Sequence, residues 1–440
     1  MPAWVDGCRL VVIGMPRDRR SWPDLMRFGL LTQWYDPEPG PAALPGVLAR
    51  GLRDRGHDVS VLTGFPNYPT GKLHTGYRQR RNYAEIEDGI TVHRAPLFVS
   101  HDGNPLRRIS NYISFGASAA SQAGKFFDGL DAVWVNYSPI TVAVPLWIGQ
   151  CQYHTPAVIE VGDLWPDTVF ASGMLPENIL TTGVSKFADW WCDRLYSSGE
   201  KVVYISPGVG EVLRSRGVAE AKLRYAPKWA DENVFDASGN QEKSRSSLGI
   251  SAEARVLLYA GALGEAQGLQ TLIEACDAVD DPNFTCVIAG SGIAEQKLRE
   301  IAESSDKQNV RFIGRISQEG MTDLVAAANF CYIGLQPHPL SPITMPSKTQ
   351  AILASGKPIL AAAEGDVARL VADNGLGLTA DPSNPATIAI AIDRICAMRP
   401  REIEALGDRA RQFYHHNFSV DLGVSRIESL LTDAASTRKR

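Results

Sequence analysis

Short apolar runs alternate with longer stretches of helical spacing along most of the chain. In the first half, β-branched runs predict strands at residues 28–34, 58–64, 90–94, 132–136, 157–161 and 201–205. The second half repeats the rhythm at residues 255–259, 284–289, 310–313, 330–335, 358–362 and 377–379. Between the strands of the first half, apolar positions recur at helical spacing in residues 42–55, 109–127 and 181–196. This alternation is typical of βαβ units, and it predicts an α/β protein built on parallel sheets.

The length of the chain indicates more than one domain. Its 440 residues exceed what one ordinary hydrophobic core supports, so we expect two domains. A polar stretch at residues 236–247 has no apolar period and predicts a surface connection. Because residues 210–216 and 223–226 resemble the first helix and strand of a second domain, we place its start at residue 207. The expected divisions are an extension at 1–25, open to an edge strand at 9–14, domains at 26–206 and 207–410, and a terminal helix at 411–440 that crosses back to the first domain.

Charge and cysteine content narrow the class of protein. The chain carries 44 Lys and Arg against 49 Asp and Glu, a formal net charge of −5, which argues against a protein that binds nucleic acid through bulk charge. The seven cysteines are scattered without a C-x-x-C pair. The histidines form no metal-binding pair either, so we expect a reducing, cytoplasmic compartment and no metal site. No run of about 18 apolar residues occurs, so we expect a chain that neither spans a membrane nor is exported.

Small and polar residues follow several predicted strands of the second half. These loops contain Gly264 and Gln267, then Gly290, Ser291 and Gly292, then Arg315, and finally Pro346, Ser347 and Lys348. Turns of this kind offer backbone N–H groups to phosphate where a helix begins, although the spacing is not that of a dinucleotide fingerprint. The ammonium group of Lys348 suits an anionic ligand at such a place. Ordinary strand-to-helix turns and a solvated lysine are the alternatives.

The corresponding loops of the first half carry aromatic, amide and charged side chains. They contain Gly40 in a proline-rich turn, Asn67 and Tyr68, and Asp163. Aromatic and amide groups suit contact with a sugar, and the alternative is a rigid turn. Asp163 is either a general base or hydroxyl orienter, or a helix cap. Arg107 and Arg108 lie in an amphipathic stretch at 104–115, which either faces an anionic membrane surface or packs on its own sheet.

Taken in order, these segments resemble the retaining glycosyltransferases of family 4, and most closely the bacterial branch similar to colanic-acid and L-fucosamine transferases. The matching pieces are LTQWYDPEPG, RGHDVSVLTGFPNYPTG, DLWPD, PKWADENVF, YAGALGEAQGL, GSG, FIGR and MPSKTQAILASGKPIL. The resemblance implies a GT-B fold, with two Rossmann-like domains facing across a cleft. It implies transfer of a sugar from a nucleotide-sugar donor, UDP-linked, to a hydroxyl of a lipid-linked or glycan acceptor. It further implies a cytoplasmic enzyme of envelope polysaccharide synthesis that touches the inner membrane face and requires no metal or other cofactor.

The same resemblance assigns roles to the loops. In the C-terminal domain it places Gly290, Ser291, Gly292 and Arg315 near the nucleoside, and Gly264, Gln267, Pro346, Ser347 and Lys348 around the diphosphate, with Gly40 approaching from across the cleft. In the N-terminal domain it assigns acceptor binding to Asn67, Tyr68, Arg107 and Arg108, and catalysis to Asp163. Because a nucleoside diphosphate leaves, this chemistry needs positive charge and N–H dipoles rather than a protein nucleophile.

The chain departs from the family pattern at three points. Two glutamates that many members carry eight residues apart are replaced by Ile343 and Ala351, which leaves Glu364 as the carboxylate available to the donor's hydroxyl groups. Gly162 stands where a histidine is common, and Glu265 stands where a basic residue is often found. Two alternatives therefore stay open. One is a nucleotide-sugar 2-epimerase of the same fold, and the other is a degenerate paralogue that binds nucleotide sugar without turnover.

Overall fold

The computed structural model describes residues 25–100, 104–168, 179–235 and 239–438. The first part of the chain forms an eight-stranded sheet in the order β3-β4-β2-β1-β5-β6-β7-β8. Its strands are β1 (Arg27–Leu31), β2 (Asp58–Gly64), β3 (Tyr83–Glu87), β4 (Ile90–Ala95), β5 (Ala132–Asn136), β6 (Ala157–Val161), β7 (Lys201–Tyr204) and β8 (Leu223–Tyr225). All neighbours are parallel except β3 and β4, which pair antiparallel.

Helices cover both faces of this first sheet. They are α1 (Leu44–Asp54), α2 (Pro105–Ala120), α3 (Ala123–Phe126), α4 (Ala143–Tyr153), α5 (Ile179–Ser198) and α6 (Pro207–Ser215). Successive side chains of β5 enter different apolar clusters: Val133 joins the cluster of Phe115 on α2, and Trp134 joins that of Leu48 on α1. Because the strands are buried on both sides, they appear in the sequence as continuous apolar runs.

The second part of the chain forms a fully parallel six-stranded sheet in the order β11-β10-β9-β12-β13-β14. Its strands are β9 (Arg255–Ala260), β10 (Phe284–Ala289), β11 (Val310–Gly314), β12 (Phe330–Gly334), β13 (Ile359–Ala362) and β14 (Gly377–Ala380). The remaining helices are α7 (Glu232–Phe235), α8 (Gln241–Ser247), α9 (Leu269–Ala278), α10 (Glu295–Glu303), α11 (Gln318–Ala327), α12 (Lys348–Ala354), α13 (Asp366–Asp373), α14 (Pro385–Ala397), α15 (Pro400–Asn417) and α16 (Val420–Arg438).

In each sheet the strands that follow in sequence are first added on one side of a central strand and then on the other side. In the first sheet β1 lies between β2 and β5, and in the second β9 lies between β10 and β12. Loops that leave the carboxyl ends of such strands diverge and open a crevice, which is where open α/β sheets bind their ligands. The fold therefore directs attention to the loops after β1 and β9.

Two features of the chain between the sheets differ from expectation. The strand at residues 223–226 does not start the second sheet: β8 pairs with β7, so the first sheet continues to Tyr225. The polar stretch at 236–247 is not only a connection, because α8 occupies residues 241–247. Its Arg245 is buried, with Nε donating to the Ala327 carbonyl at 3.0 Å and Nη2 to the Asn329 amide oxygen at 2.7 Å. Hydrogen bonds from the buried Arg245 thus hold α8 in place, although its sequence has no apolar period.

The chain's last helix returns to the first sheet. Helix α15 packs on α12 of the second part, whereas α16 buries Val424, Ile427 and Leu431 in the cluster that contains Phe28 of β1. The expected crossing therefore starts at Val420 rather than near residue 411. Of the extension expected at residues 1–25, residues 1–24 and with them the open edge strand at 9–14 lie outside the described residues.

Direct hydrogen bonds join the two halves. Ser206 donates through Oγ to the Ile343 carbonyl at 2.7 Å, and the backbone N–H of Gly208 donates to the Asp366 carboxylate at 2.7 Å. The first bond anchors the segment before α12 to the start of α6, and the second anchors the start of α13 there, so the helix that begins at Lys348 has a defined place relative to the first sheet.

The two chain crossings between the halves also touch one another. The Glu232 carboxylate accepts from the backbone N–H of Val420 at 2.8 Å and from the Tyr414 hydroxyl at 3.0 Å. The indole of Trp229, in the first crossing, lies against Gly423 of α16, in the second. Both crossings therefore form one packed connection.

Candidate active site

A cavity of about 510 Å³ lies between the two halves of the molecule. From the first half it is lined by the turn after β1 and the start of α1, including Gly40 and Val47. From the second half it is lined by the turn after β9 and the start of α12, including Gly261, Ala262, Ser347 and Lys348. The structure thus brings together three residues that the sequence assigned to donor binding: Gly40, Ser347 and Lys348.

The loops after β9, β10 and β11 run side by side, and the loop after β9 lines this cavity. The backbone N–H of Gly261 donates to the Ala289 carbonyl at 3.0 Å, and that of Gly290 donates to the Gly314 carbonyl at 2.7 Å. Gly290 has φ +139°, and a Cβ at this position would collide with the Gly261 carbonyl. The glycines expected near the nucleoside are therefore required for loop packing as well. Ser291 and Gly292 are exposed beside them.

Lys348 supplies a cation to the cavity. Its Nζ lies 3.9 Å from the centroid of the Tyr259 ring, and burial lowers the pKa of this ammonium to about 8. Within the part of the chain that the structure describes, no carboxylate pairs with it. Its neighbour Ser347 is exposed, and Pro346 is half-buried. A charged group that is held without a carboxylate keeps its N–H groups available to an anion.

Gly264 and Gln267 lie elsewhere in the cleft. They line a neighbouring cavity of about 800 Å³, to which Thr168 of the first half also contributes. The Gln267 side chain accepts a hydrogen bond from the backbone N–H of Gly264 at 3.1 Å, so it stabilises its own turn. Glu265, between them, is exposed and does not line the cavity of Lys348.

Arg315 and Glu364 follow β11 and β13 and are exposed. Neither lines the cavity of about 510 Å³. The structure therefore brings them to the edge of the sheet where the donor is expected, without direct contact with Lys348.

A buried carboxylate that the sequence did not single out connects two predicted loops. Glu38 accepts hydrogen bonds from the backbone N–H groups of Asn67 at 2.7 Å, Tyr68 at 2.8 Å and Tyr35 at 3.3 Å. Burial raises the pKa of Glu38. The Asn67 side chain is itself buried and donates to the Phe65 carbonyl at 3.0 Å, so Tyr68 is the more accessible of the two. The feature of the sequence that could have indicated Glu38 is its position as an acidic residue between two prolines of the turn.

Asp163 stands exposed after β6 and accepts a hydrogen bond from the Ser138 hydroxyl at 3.1 Å. The loop that carries it is fixed by Arg216, which pairs with Asp167 and donates to the Trp165 carbonyl at 2.8 Å. Burial of the Arg216 guanidinium acts against this ion pair, yet its pKa stays above the ordinary value through Tyr196 and Asp167. Asp163 is thus a solvent-exposed carboxylate on a loop that Arg216 holds in place.

Arg107 and Arg108 take different places on α2. Arg108 is half-buried and donates to the Tyr112 hydroxyl at 3.3 Å, and the Tyr112 ring lies 5.9 Å from that of Trp165. Arg107 is exposed beside Leu106, which is 73% exposed. One arginine therefore faces the loop of Asp163, and the other lies on the outer surface of α2.

The described residues contain no group of three or more metal-ligating side chains that could hold an ion. None of the described helices is both long and apolar enough to cross a bilayer.

Two facing α/β units with a cavity between them define the GT-B fold, and solved structures of that class superpose on the chain. Sucrose-phosphate synthase from Thermosynechococcus elongatus gives a TM-score of 0.70 at 18% identity, covering 94% of this chain and 100% of that one. Anabaena HepE in complex with UDP-glucose gives 0.67 at 18% identity, covering 93% and 100%.

Sequence comparison extends the class to a family. The model of the glycosyl transferase 4-like domain matches residues 39–229, and that of glycosyl transferases group 1 matches residues 240–413. The putative colanic acid biosynthesis glycosyl transferase WcaI of Escherichia coli K12 is 25% identical over 332 residues, covering 73% of this chain and 79% of WcaI. The chain belongs to the family 4 glycosyltransferases, and it is an enzyme of the transferase class.

Proposed function

We propose that this glycosyltransferase moves a sugar from a UDP-linked donor to a hydroxyl of a lipid-linked or glycan acceptor, with retention at the anomeric carbon. The observation that carries the proposal is the cavity between the halves, which gathers Gly40, Ser347 and Lys348 around one volume. The name of WcaI supports a place in polysaccharide biosynthesis, and the complex of HepE with UDP-glucose supports the choice of nucleotide.

The leaving group explains why a lysine stands at this place. Transfer breaks the bond between the anomeric carbon and the diphosphate, so negative charge grows on the departing oxygen. The Lys348 ammonium lines this cavity beside the Gly261–Ala262 turn, where it would stabilise that charge. We propose that it acts without a bound metal.

The acceptor would lie against the first half. Asp163 would orient the acceptor hydroxyl, with Ser138 holding the carboxylate in place. Arg108, Tyr112 and Trp165 form the adjacent arginine and aromatic surface, which suits a sugar ring that bears an anionic group. The backbone N–H of Tyr68 donates to Glu38, which precedes Gly40 in the turn after β1. This hydrogen bond joins the loop proposed to bind the acceptor to the turn proposed to bind the donor.

Donor binding is tested directly with nucleotides. Calorimetry of the full chain with UDP, GDP and dTDP should show binding that Lys348→Ala weakens by about tenfold or more. Lys357→Ala is the matched control: Lys357 is also half-buried, but its Nζ donates to the Ala328 carbonyl at 2.7 Å and caps α11. That variant should lose stability and keep its UDP affinity. Unchanged binding in Lys348→Ala would remove the lysine from the site.

Turnover separates this proposal from the two alternatives. Release of nucleoside diphosphate that depends on acceptor supports transfer. Conversion of UDP-GlcNAc without acceptor would indicate a 2-epimerase instead. Nucleotide binding without any turnover would indicate a degenerate paralogue. If no UDP, GDP or dTDP sugar is either bound or consumed, the proposed function is wrong.

We also propose peripheral contact with the inner face of the membrane through α2. Its outer surface exposes Leu106 at 73% and Ile113 at 58% beside Arg107, an apolar and basic combination suited to anionic lipid. Sedimentation with phosphatidylglycerol vesicles should be reduced in Ile113→Asp. Ile390→Asp is the control, since Ile390 is 54% exposed on α14 of the other half. Equal sedimentation of both variants and the wild type would contradict this contact.

A further inference from the structure

We propose that Tyr259 is a positioning residue that holds Lys348 and the turn after β9 toward the donor diphosphate. Tyr259 is completely buried in β9, and its hydroxyl donates to the Ala262 carbonyl at 2.5 Å. The Lys348 ammonium lies 3.9 Å from the centroid of its ring. One side chain therefore fixes both the cation and the backbone turn that line the cavity. This inference rests on the donor site proposed above.

An aromatic ring serves here better than a carboxylate. The face of the ring carries partial negative charge and attracts the ammonium, but it occupies none of its N–H groups in a strong hydrogen bond. A carboxylate partner would offset the positive charge of Lys348 and compete with phosphate for the same N–H donors. The ring thus keeps the lysine charged and in place while its N–H groups stay available.

Gly261 allows the two groups to approach the turn. It has φ +151°, and a Cβ at this position would lie 2.8 Å from the Lys348 Nζ and 3.3 Å from the Tyr259 hydroxyl oxygen. No other side chain fits between the ammonium and the backbone. The Lys348 ammonium and the turn therefore lie next to each other on the wall of the cavity.

Lys348 is the group in this region that titrates near pH 8. The other titratable groups around it are Tyr259 on β9, Cys331 and Tyr332 on β12, and Asp231, a carboxylate lining the same cavity. Burial raises the pKa of both tyrosines, and it raises the pKa of the Cys331 thiol to about 12. UDP affinity should therefore fall as the pH rises through about 8, where Lys348 loses its proton.

The experiment measures the Kd for UDP from pH 7 to 9.5 in the full chain. Tyr259→Phe keeps the ring but loses the hydrogen bond to Ala262, so its midpoint should equal that of the wild type while its Kd rises about threefold. Tyr259→Leu should bind about tenfold more weakly at pH 7, and its midpoint should lie about one pH unit lower, because the charged lysine loses its aromatic support. Phe330→Leu removes a buried ring from the same core cluster without touching Lys348, and it should leave the Kd and the midpoint unchanged.

Equal Kd and equal midpoint in Tyr259→Leu and wild type would overturn the proposal. A stepwise series of fluorinated phenylalanines at position 259 covers the case in which the leucine variant fails to fold, since fluorine weakens the charge on the ring face at nearly constant shape. UDP affinity should fall with each added fluorine, and a flat series would also overturn the proposal. Absence of UDP, GDP and dTDP binding in the wild type would instead refute the donor site itself.

Discussion

Replacing Lys348 by methionine tests the donor site through protein stability, without any substrate. The variant keeps an unbranched apolar side chain and removes only the ammonium. Burial lowers the pKa of Lys348 from its ordinary value of 10.5 to about 8, so the folded state disfavours the charged form. Lys348→Met should therefore be more stable than the wild type at pH 7, although it loses nucleotide binding. Such a trade between stability and function is expected of a residue retained for binding.

The magnitude follows from the pKa. Each pH unit corresponds to about 1.4 kcal/mol, so a fall from 10.5 to about 8 sets an upper bound of about 3.5 kcal/mol on the cost of the charge. Lys348 keeps some solvent contact, and we expect about 2 kcal/mol. Below pH 8 the folded and unfolded chains both hold the proton, and the full difference is present. Between pH 8 and 10.5 only the unfolded chain holds it, so wild-type stability rises with pH and the difference closes.

The assay is urea unfolding of both proteins at pH 7, 8, 9 and 10, compared through the free energy of unfolding. Lys357→Met is the control, because Lys357 donates to the carbonyls of Ala326 and Ala328 and its loss leaves buried acceptors unpaired. That variant should be destabilised. If Lys348→Met is no more stable than the wild type at pH 7, or if the difference does not shrink toward pH 10, the reasoning about the buried ammonium is refuted.

Three further outcomes are expected. Glu38→Ala leaves three backbone N–H groups without their acceptor, so it should lower the free energy of unfolding in urea by about 3 kcal/mol and raise KM for both substrates. Glu38→Gln keeps an acceptor and should lower the free energy of unfolding by about 1 kcal/mol; equal losses in the two variants would contradict the bridging role of Glu38. Gly290→Ala should collide with the Gly261 carbonyl and weaken UDP binding at least tenfold, which calorimetry would detect as a raised Kd. Dialysis against EDTA should leave sugar transfer unchanged, and activity restored only by added Mg²⁺ or Mn²⁺ would show that a metal takes part.

The central strands were predictable because burial on both faces leaves a continuous apolar run. β2, β5, β6 and β10 have the predicted bounds. β3 was missed because Tyr83–Glu87 is a half-exposed antiparallel edge strand with charged residues in its sequence. β8 was placed in the wrong sheet, since a strand of three residues carries no sign of its neighbour. Pairing partners are decided by packing between distant segments, which periodicity does not contain.

The residues of the candidate site likewise fall into two groups, those that the sequence indicated and those that only the folded structure shows. Gly40 and Lys348 were predicted because they sit in loops whose residue types suit an anion. Tyr259 was not, because an aromatic residue in an apolar strand has the pattern of a core residue, and its contact with Lys348 exists only after folding. Glu38 was not singled out either, since an acid in a turn is normally solvated. Both act on residues far away in sequence.

The packed connection between the two halves limits how the cleft can move. The chain passes between the halves before α7 and again before α16, and Trp229, which lines the cavity, rests on Gly423 where the two passages meet. Because Glu232 joins the two passages by hydrogen bonds, a movement of one half against the other has to carry both passages together. Removing residues 420–440 would remove α16, end the second passage and expose the apolar surface that α16 covers. The last helix therefore supports the site through packing, since none of its described residues lines the cavity.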